Sequence, residues 1–232
     1  GRAAAKTLDG RVQVGVTHVH EGQTGNQGDL TGADATVDLK NGTKVRAEVA
    51  TTKTDQAGSS VQGSAYLAEV QHQSERLDGH AYARQQEPGF GLGQQNGSET
   101  GMRKLGADFA YRIDKPWTLG GEIYRQENLA TGAVRDLAEL NGRYLDTRYT
   151  LFAGIRRVED LYGDGTSLRS DELFAGVQYR FTERLTARVQ HDQLINGNSG
   201  SLDFPDRTIA GLEYRLNQAT TFFAEQEYTK SS

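Results

Sequence analysis

Two histidines one residue apart are the first groups in the chain that could do chemistry. In His18-Val19-His20-Glu21 both imidazoles fall on one strand face, a geometry able to share a Zn²⁺ with a third ligand from Glu21 or Asp29. Such pairs are common by chance, so we read them as polar residues at the outer end of a strand. His191-Asp192, with Glu225 and Glu227 further on, has the side-chain types of a barrel hydrolase. Successive strand residues point to opposite faces, however, so His191 and Asp192 cannot form a dyad within one wall. No Gly-x-Ser-x-Gly nucleophile setting accompanies them. The stretch 160–172 holds Asp164, Asp171 and Glu172 but lacks the regular spacing of a calcium loop, and it reads as a solvated loop. Cysteine is absent, which removes disulfides, thiolate metal sites and cysteine nucleophiles. The expectation is a protein without catalytic residues, metal or cofactor.

A larger set of charges recurs at strand spacing. Arg112, Arg143, Arg156, Arg180, Arg188 and Arg215 are interleaved with Asp108, Glu122, Glu139, Glu213 and Glu225. On the inner wall of a barrel they would line a lumen. They could set the selectivity of a pore, or form a cross-strand salt-bridge ladder that stiffens the wall. The signs are interspersed and make no one-signed ring, which favours the ladder.

These residues are positioned by one repeated unit: an alternating segment, a very short turn, a second such segment, then a long polar loop. FAGVQYRF-TER-LTARVQHDQ, IAGLEYRL-NQA-TTFFAEQEY and LGADFAYRI-DKP-WTLGGEIYRQ show it. About thirteen strands are expected, near 11–19, 30–39, 44–52, 62–73, 78–86, 103–113, 118–127, 136–145, 148–158, 171–181, 184–194, 207–216 and 219–229. Asn41-Gly42 is a hairpin signal, because a type I′ turn needs positive φ at both central residues. Long connections are expected near 20–29, 53–61, 87–102, 128–135, 159–170 and 195–206. Short turns at one end and long loops at the other characterise an outer-membrane type of transmembrane β-barrel.

Charge tests this alternation. Leu105, Phe109, Tyr111 and Ile113 share a face opposite Asp108 and Arg112. Leu173, Val177, Tyr179 and Phe181 stand opposite Gln178 and Arg180. Leu212 and Tyr214 stand opposite Glu213 and Arg215. These apolar stretches carry no charge, and exceptions such as Arg125 and Arg157 fall at the loop ends, as expected of a lipid-facing surface. Trp117, Tyr144, Tyr149 and Phe222 gather beside the short turns with Tyr111, Tyr179, Phe181 and Tyr214, as an interfacial girdle would. An apolar content of 35% suits a barrel, in which only every second strand residue meets lipid. The net charge of −5 and the scattered basic residues leave no nucleic-acid footprint. No apolar run is long enough for a helical membrane span.

Residues 1–10 read as a leader or tag-like segment, and 11–232 as the barrel domain. The odd strand number suggests a section of a larger barrel, completed by other segments or subunits. The stretch GFGLGQQNGSETGMRKLGADFAYRI (89–113), followed by GLEYRLNQATTFFAEQEY (211–228), resembles the barrel regions of very large Gram-negative outer-membrane proteins. In that group a C-terminal barrel follows arrays of repeated immunoglobulin-like surface domains. The resemblance covers roughly residues 80–230 and rests on strand-turn-strand wording. It implies an outer-membrane anchor or conduit and carries over no functional residues. The repeated domains themselves are absent here. The expected surroundings are outer-membrane lipid and lipopolysaccharide. A diffusion porin, a secretion or surface-display β-domain, and a soluble β-sandwich adhesin are the rival readings.

Overall fold

The period-two pattern resolves into fourteen strands in the computed structural model: β1 (Arg2–Thr7), β2 (Val12–Gln23), β3 (Asn26–Lys40), β4 (Thr43–Gln56), β5 (Ser59–Gln73), β6 (Leu77–Gln86), β7 (Met102–Asp114), β8 (Trp117–Asn128), β9 (Val134–Leu145), β10 (Tyr149–Leu161), β11 (Ser167–Arg180), β12 (Leu185–Leu194), β13 (Asp206–Arg215) and β14 (Thr221–Lys230). The structure describes all residues except 8, 24–25, 57–58, 93–98, 197–202 and 231–232. The strands follow one another in sequence order in a single up-and-down sheet, and every register described is antiparallel. The described residues contain no helix.

Two features depart from the sequence reading. The segment taken as a leader holds β1, paired with β2 from Arg2↔Thr17 to Thr7↔Val12. Asp9 and Gly10, both at positive φ (56° and 82°), lie in the connection between them. An Asp-Gly turn is a hairpin signal, but Ala3, Ala4 and Ala5 show no contrast between faces, so the strand before it carries no period-two pattern. The stretches near 20–29 and 53–61 are also mostly strand and not loop, with His20↔Asp29 and Lys53↔Gln62 in register. Both faces are polar there, so nothing in the hydrophobic pattern marks the continuation.

Turn chemistry sets the register at the short end. Lys40, Asn41 and Gly42 have φ of 68°, 51° and 77°, and the pairing shifts between Asp38 and Lys40. A bulge of this kind tightens the local twist.

The chain forms two compact units. The first comprises Gly1–Asp108 and Tyr124–Val134, the second Phe109–Ile123 and Arg135–Ser232. In the first, Val14, Val16, Val49, Val70 and Leu105 are exposed on one face. The other face is covered near the loops by the segment after β6. The Gly91 N–H donates to Thr52 Oγ1 at 3.0 Å, the Ser64 N–H donates to Glu87 Oε2 at 2.8 Å, and Leu92 is buried against Gly28. A Cβ at Gly63 would collide with the backbone of Gly89 and Phe90, so only glycine permits that approach.

In the second unit Leu151, Ile155, Leu173, Val189 and Leu212 are exposed on one face, with Ile155 at 53%. The opposite face buries Val158 (0%), Ser170, Phe174, Glu172 (1%) and Asp192 (1%). This inverts the arrangement of a water-soluble sheet, whose charges face outward.

Candidate functional site

The buried charges of the second unit are matched across neighbouring strands. On the buried face Glu139 of β9, Arg156 of β10 and Glu172 of β11 meet: Arg156 lies 2.7 Å from Glu139 and 3.3 Å from Glu172. Asn141 Nδ2 donates to Glu139 at 2.9 Å. Arg207 of β13 donates to Asp192 of β12 at 2.7 Å, and Gln190 donates to the same carboxylate at 2.7 Å. Arg135 makes a two-pronged contact with Asp160, at 2.6 and 3.0 Å, and reaches Asp203 at 2.5 Å. Phe204, from the β12–β13 connection, lies 5.1 Å from the Arg156 guanidinium, with Phe174 at 5.0 Å. Buried charges hold only when paired and hydrogen-bonded; every carboxylate of this ladder has a cation beside it, while Glu172 keeps one buried oxygen, Oε1, with no hydrogen bond among the described residues.

The first unit carries a cavity of about 570 Å³. One wall bears Arg46, 2.7 Å from Glu48 and 3.7 Å from Glu69. The other bears Arg84, 2.5 Å from Glu99, and Lys104, 3.9 Å from the centre of the Tyr124 ring. Leu67, Phe90 and Gln126 are also part of the lining. Below it, His80 stands between Glu69 at 3.5 Å and Asp108 at 3.4 Å.

The strand registers sort the residues singled out in the sequence. Arg156, Arg180, Arg188, Glu213, Arg215 and Glu225 share the face of Glu172 and Asp192. Alternation along β7, β8 and β9 puts Arg112, Glu122 and Arg143 on the corresponding face of those strands. Arg188 pairs with Glu225. Among the described residues Glu122, Arg143, Arg180, Glu213 and Arg215 are exposed and have no ion pair. The buried ladder therefore occupies the loop-side half of the second unit, and the turn-side half holds the exposed Arg188–Glu225 pair and these five charges.

Leu105, Phe109, Tyr111, Leu173, Val177, Tyr179, Leu212 and Tyr214 are exposed on the opposite face, as is Phe181 just beyond β11. Trp117 meets Tyr144 edge to face with ring centres 4.9 Å apart, Tyr144 stacks on Tyr149 at 5.9 Å, and Phe222 is exposed opposite Tyr214.

The other candidates do not converge. His18 meets Thr31 at 3.1 Å and His20 meets Asp29 at 2.8 Å, and no group of three metal-binding side chains occurs among the described residues. His191 meets Thr208 on the face opposite Asp192. In the connection 162–166 the Thr166 N–H donates to Asp164 Oδ1 at 2.9 Å and holds that carboxyl below the usual range. Asp171 is taken by Arg157 and Arg169, and Glu172 points to the other face. The loop expected at 159–170 shrinks to 162–166, because Asp160 and Ser170 belong to strands and are buried.

Arg135, Asp160, Asp203 and Phe204 had no signal in the sequence, since their partners lie on strands and connections far apart in the chain. Lys104 had one: it alternates with Leu105 in a strand whose neighbours carry Tyr82 and Tyr124.

No family model matches the chain, and no curated protein matches it. Among solved structures, the anion-selective porin from Comamonas acidovorans is similar in fold, with a TM-score of 0.50 and 10% sequence identity over 98% of this chain and 88% of that one. At this identity the likeness concerns fold alone. The fold is an all-β, antiparallel up-and-down β-barrel.

Proposed function

We propose that the chain spans a bacterial outer membrane as a β-barrel anchor or conduit and performs no bond-making chemistry. In this reading the short turns face the periplasm, the long connections face outside, and the surroundings are outer-membrane lipid and lipopolysaccharide. The observation that carries it is the inverted burial. Leu105, Ile155, Leu173 and Leu212 are exposed on faces whose charges, such as Arg157 and Asp171, stand only towards the loop ends, while Arg156, Glu172 and Asp192 are withdrawn on the other. Burying an aliphatic side chain is worth about 1.5–3 kcal/mol, so rows of them in water would be strongly unfavourable, whereas hydrocarbon satisfies them without a second sheet. A charge at the bilayer midplane of such a face costs about 2–4 kcal/mol, which accounts for its neutrality. Transfer of the folded chain from detergent into buffer tests the proposal. Partition into micelles with gel mobility that changes on boiling is expected. Full solubility in buffer with unchanged mobility would overturn it.

A diffusion porin is the second reading. It is favoured by the exposed Arg143, Arg180 and Arg215, which have no ion pair among the described residues, and by the anion selectivity in the name of the similar structure. Single-channel steps in planar bilayers with an anion preference would support it, and a silent, verified insertion would leave the anchor. Further segments or subunits that complete the barrel belong to the same proposal. So does the resemblance to the barrels of very large repeat-bearing outer-membrane proteins.

A further inference from the structure

The cavity of the first unit is electrically lopsided. On one wall a single cation, Arg46, stands between two carboxylates, Glu48 at 2.7 Å and Glu69 at 3.7 Å, and the His80 ring lies 3.5 Å from Glu69. The other wall gathers two cations around Tyr82 for a single acid. The Arg84 guanidinium is 5.0 Å from the Tyr82 ring centre and gives one nitrogen to Glu99 at 2.5 Å. Its Nε–H is buried and has no acceptor among the described residues. Lys104 Nζ lies 3.9 Å from the Tyr124 ring centre and 5.8 Å from that of Tyr82, and among the described residues it has no carboxylate within 4.0 Å.

The aromatic pair exists because Gly106 separates it. A Cβ there would lie 2.7 Å from the Tyr82 hydroxyl and 2.9 Å from Tyr124 Cβ. Ring faces hold an ammonium in place without neutralising it. The pole Arg84, Lys104 and Glu99 thus keeps one surplus positive charge and unused N–H donors, beside Leu67, Phe90 and Gln126. A volume of about 570 Å³ lies within the roughly 300–1,000 Å³ of small-molecule pockets.

We propose that this cavity binds a small organic anion, one phosphate or carboxylate group on a polar body of sugar size, with the anionic oxygens on Lys104 and Arg84. The polar body faces Gln126 and the Arg46 wall, and Phe90 covers one side. As the solute class of the proposed conduit, this assignment rests on the membrane reading; as a binding site it stands on the cavity alone.

Calorimetric titration of the detergent-solubilised full chain tests it, with glucose 6-phosphate, glucuronate and glucose as probes. Either anionic sugar is expected to bind at least about tenfold more tightly than glucose, the scale of a charge-assisted hydrogen bond. Lys104→Gln and Arg84→Gln should each weaken that binding by about tenfold, while Lys104→Arg keeps it within about threefold. Lys115→Gln, in the β7–β8 turn, should leave it unchanged. Equal binding of all three sugars, no binding, or an unaltered affinity in the heat-modifiable Lys104→Gln protein would overturn the site. A chain that stays folded in buffer yet still binds glucose 6-phosphate would remove the membrane reading and keep the site.

Discussion

Phe152 of β10 lies across Gly176, the residue directly opposite it on β11, and two positions along the same ladder Phe174 lies across Gly154. Each aromatic ring fills the space its partner glycine leaves empty, so the two strands are keyed together on the face that carries the ion pairs. A Cβ on Gly176 would overlap the Phe152 ring. One on Gly154 would meet the Phe174 ring and also the Leu140 carbonyl oxygen at 2.6 Å. Gly142 has nothing within 4 Å.

Alanine substitutions at these three glycines should therefore separate. Gly176→Ala should destabilise by about 1–2 kcal/mol, because a ring can shift, and Gly154→Ala by about 2–3 kcal/mol, because a carbonyl cannot. Gly142→Ala should stay within about 0.5 kcal/mol. Equilibrium urea unfolding in detergent micelles measures all three, and a Gly142→Ala loss as large as that of Gly154→Ala would contradict the keyed packing.

Arg156 serves two carboxylates at once, Glu139 at 2.7 Å and the fully buried Glu172 at 3.3 Å. Removing the cation strands both acids, so Arg156→Met should cost about 3–5 kcal/mol. Glu172→Gln keeps the volume and leaves Glu139 to satisfy Arg156, so it should cost less than half as much. Denaturant midpoints in the same micelles give the comparison. Equal losses would mean that Glu172, not Arg156, organises the cluster.

Much of the wall is legible in the residue order alone, and the reason is local. Leu173, Ala175 and Val177 against Glu172, Phe174 and Gly176 settle the two faces of β11 without knowledge of its neighbours. β1 escaped because Arg2-Ala3-Ala4-Ala5-Lys6 offers no apolar face, although Asp9-Gly10 marked the turn after it. The outer ends of β2 to β5 escaped because His18, His20, Lys53 and Asp55 share a polar environment with the opposite face. The ion-pair ladder was legible only as composition. That Arg156 chooses Glu139 and Glu172, or that Phe204 turns back onto it, depends on strand register and on a connection. Lys104 between Tyr82 and Tyr124 likewise joins three strands whose order in space must be known first.

The β3–β4 turn offers a test of backbone strain. Gly42 has φ of 77°, and a Cβ there would run into the Gln73 carbonyl oxygen. Gly132 has φ of 72° with open space around it. An L-residue in this region costs about 1–2 kcal/mol from conformation alone. Gly132→Ala should show only that cost, whereas Gly42→Ala should add a collision and exceed it by about 1–3 kcal/mol. Refolding yield and urea midpoints of the two variants check the order, and equal effects would mean that Gly42 is kept for its φ alone.

Depth dependence of an introduced charge tests what the exposed apolar face touches. Ala175 sits opposite Ala153 on that face, two rows from the Tyr149–Tyr179 pair. Four residues are about 13 Å along a strand, or roughly 10 Å of height at a tilt near 40°. If Tyr149 and Tyr179 mark one interface, Ala175 lies near the middle of an apolar band about 25 Å tall. Ser167, opposite Leu161 at the other end of the same strand, lies beyond the charged row of Arg157 and Asp171. Ala175→Arg should therefore cost about 2–4 kcal/mol in phospholipid vesicles, and Ser167→Arg about 0–1 kcal/mol. In buffer, with water on that face, both exposed positions would accept arginine almost equally. A difference below about 0.5 kcal/mol between the two variants in vesicles would show that hydrocarbon does not cover β11.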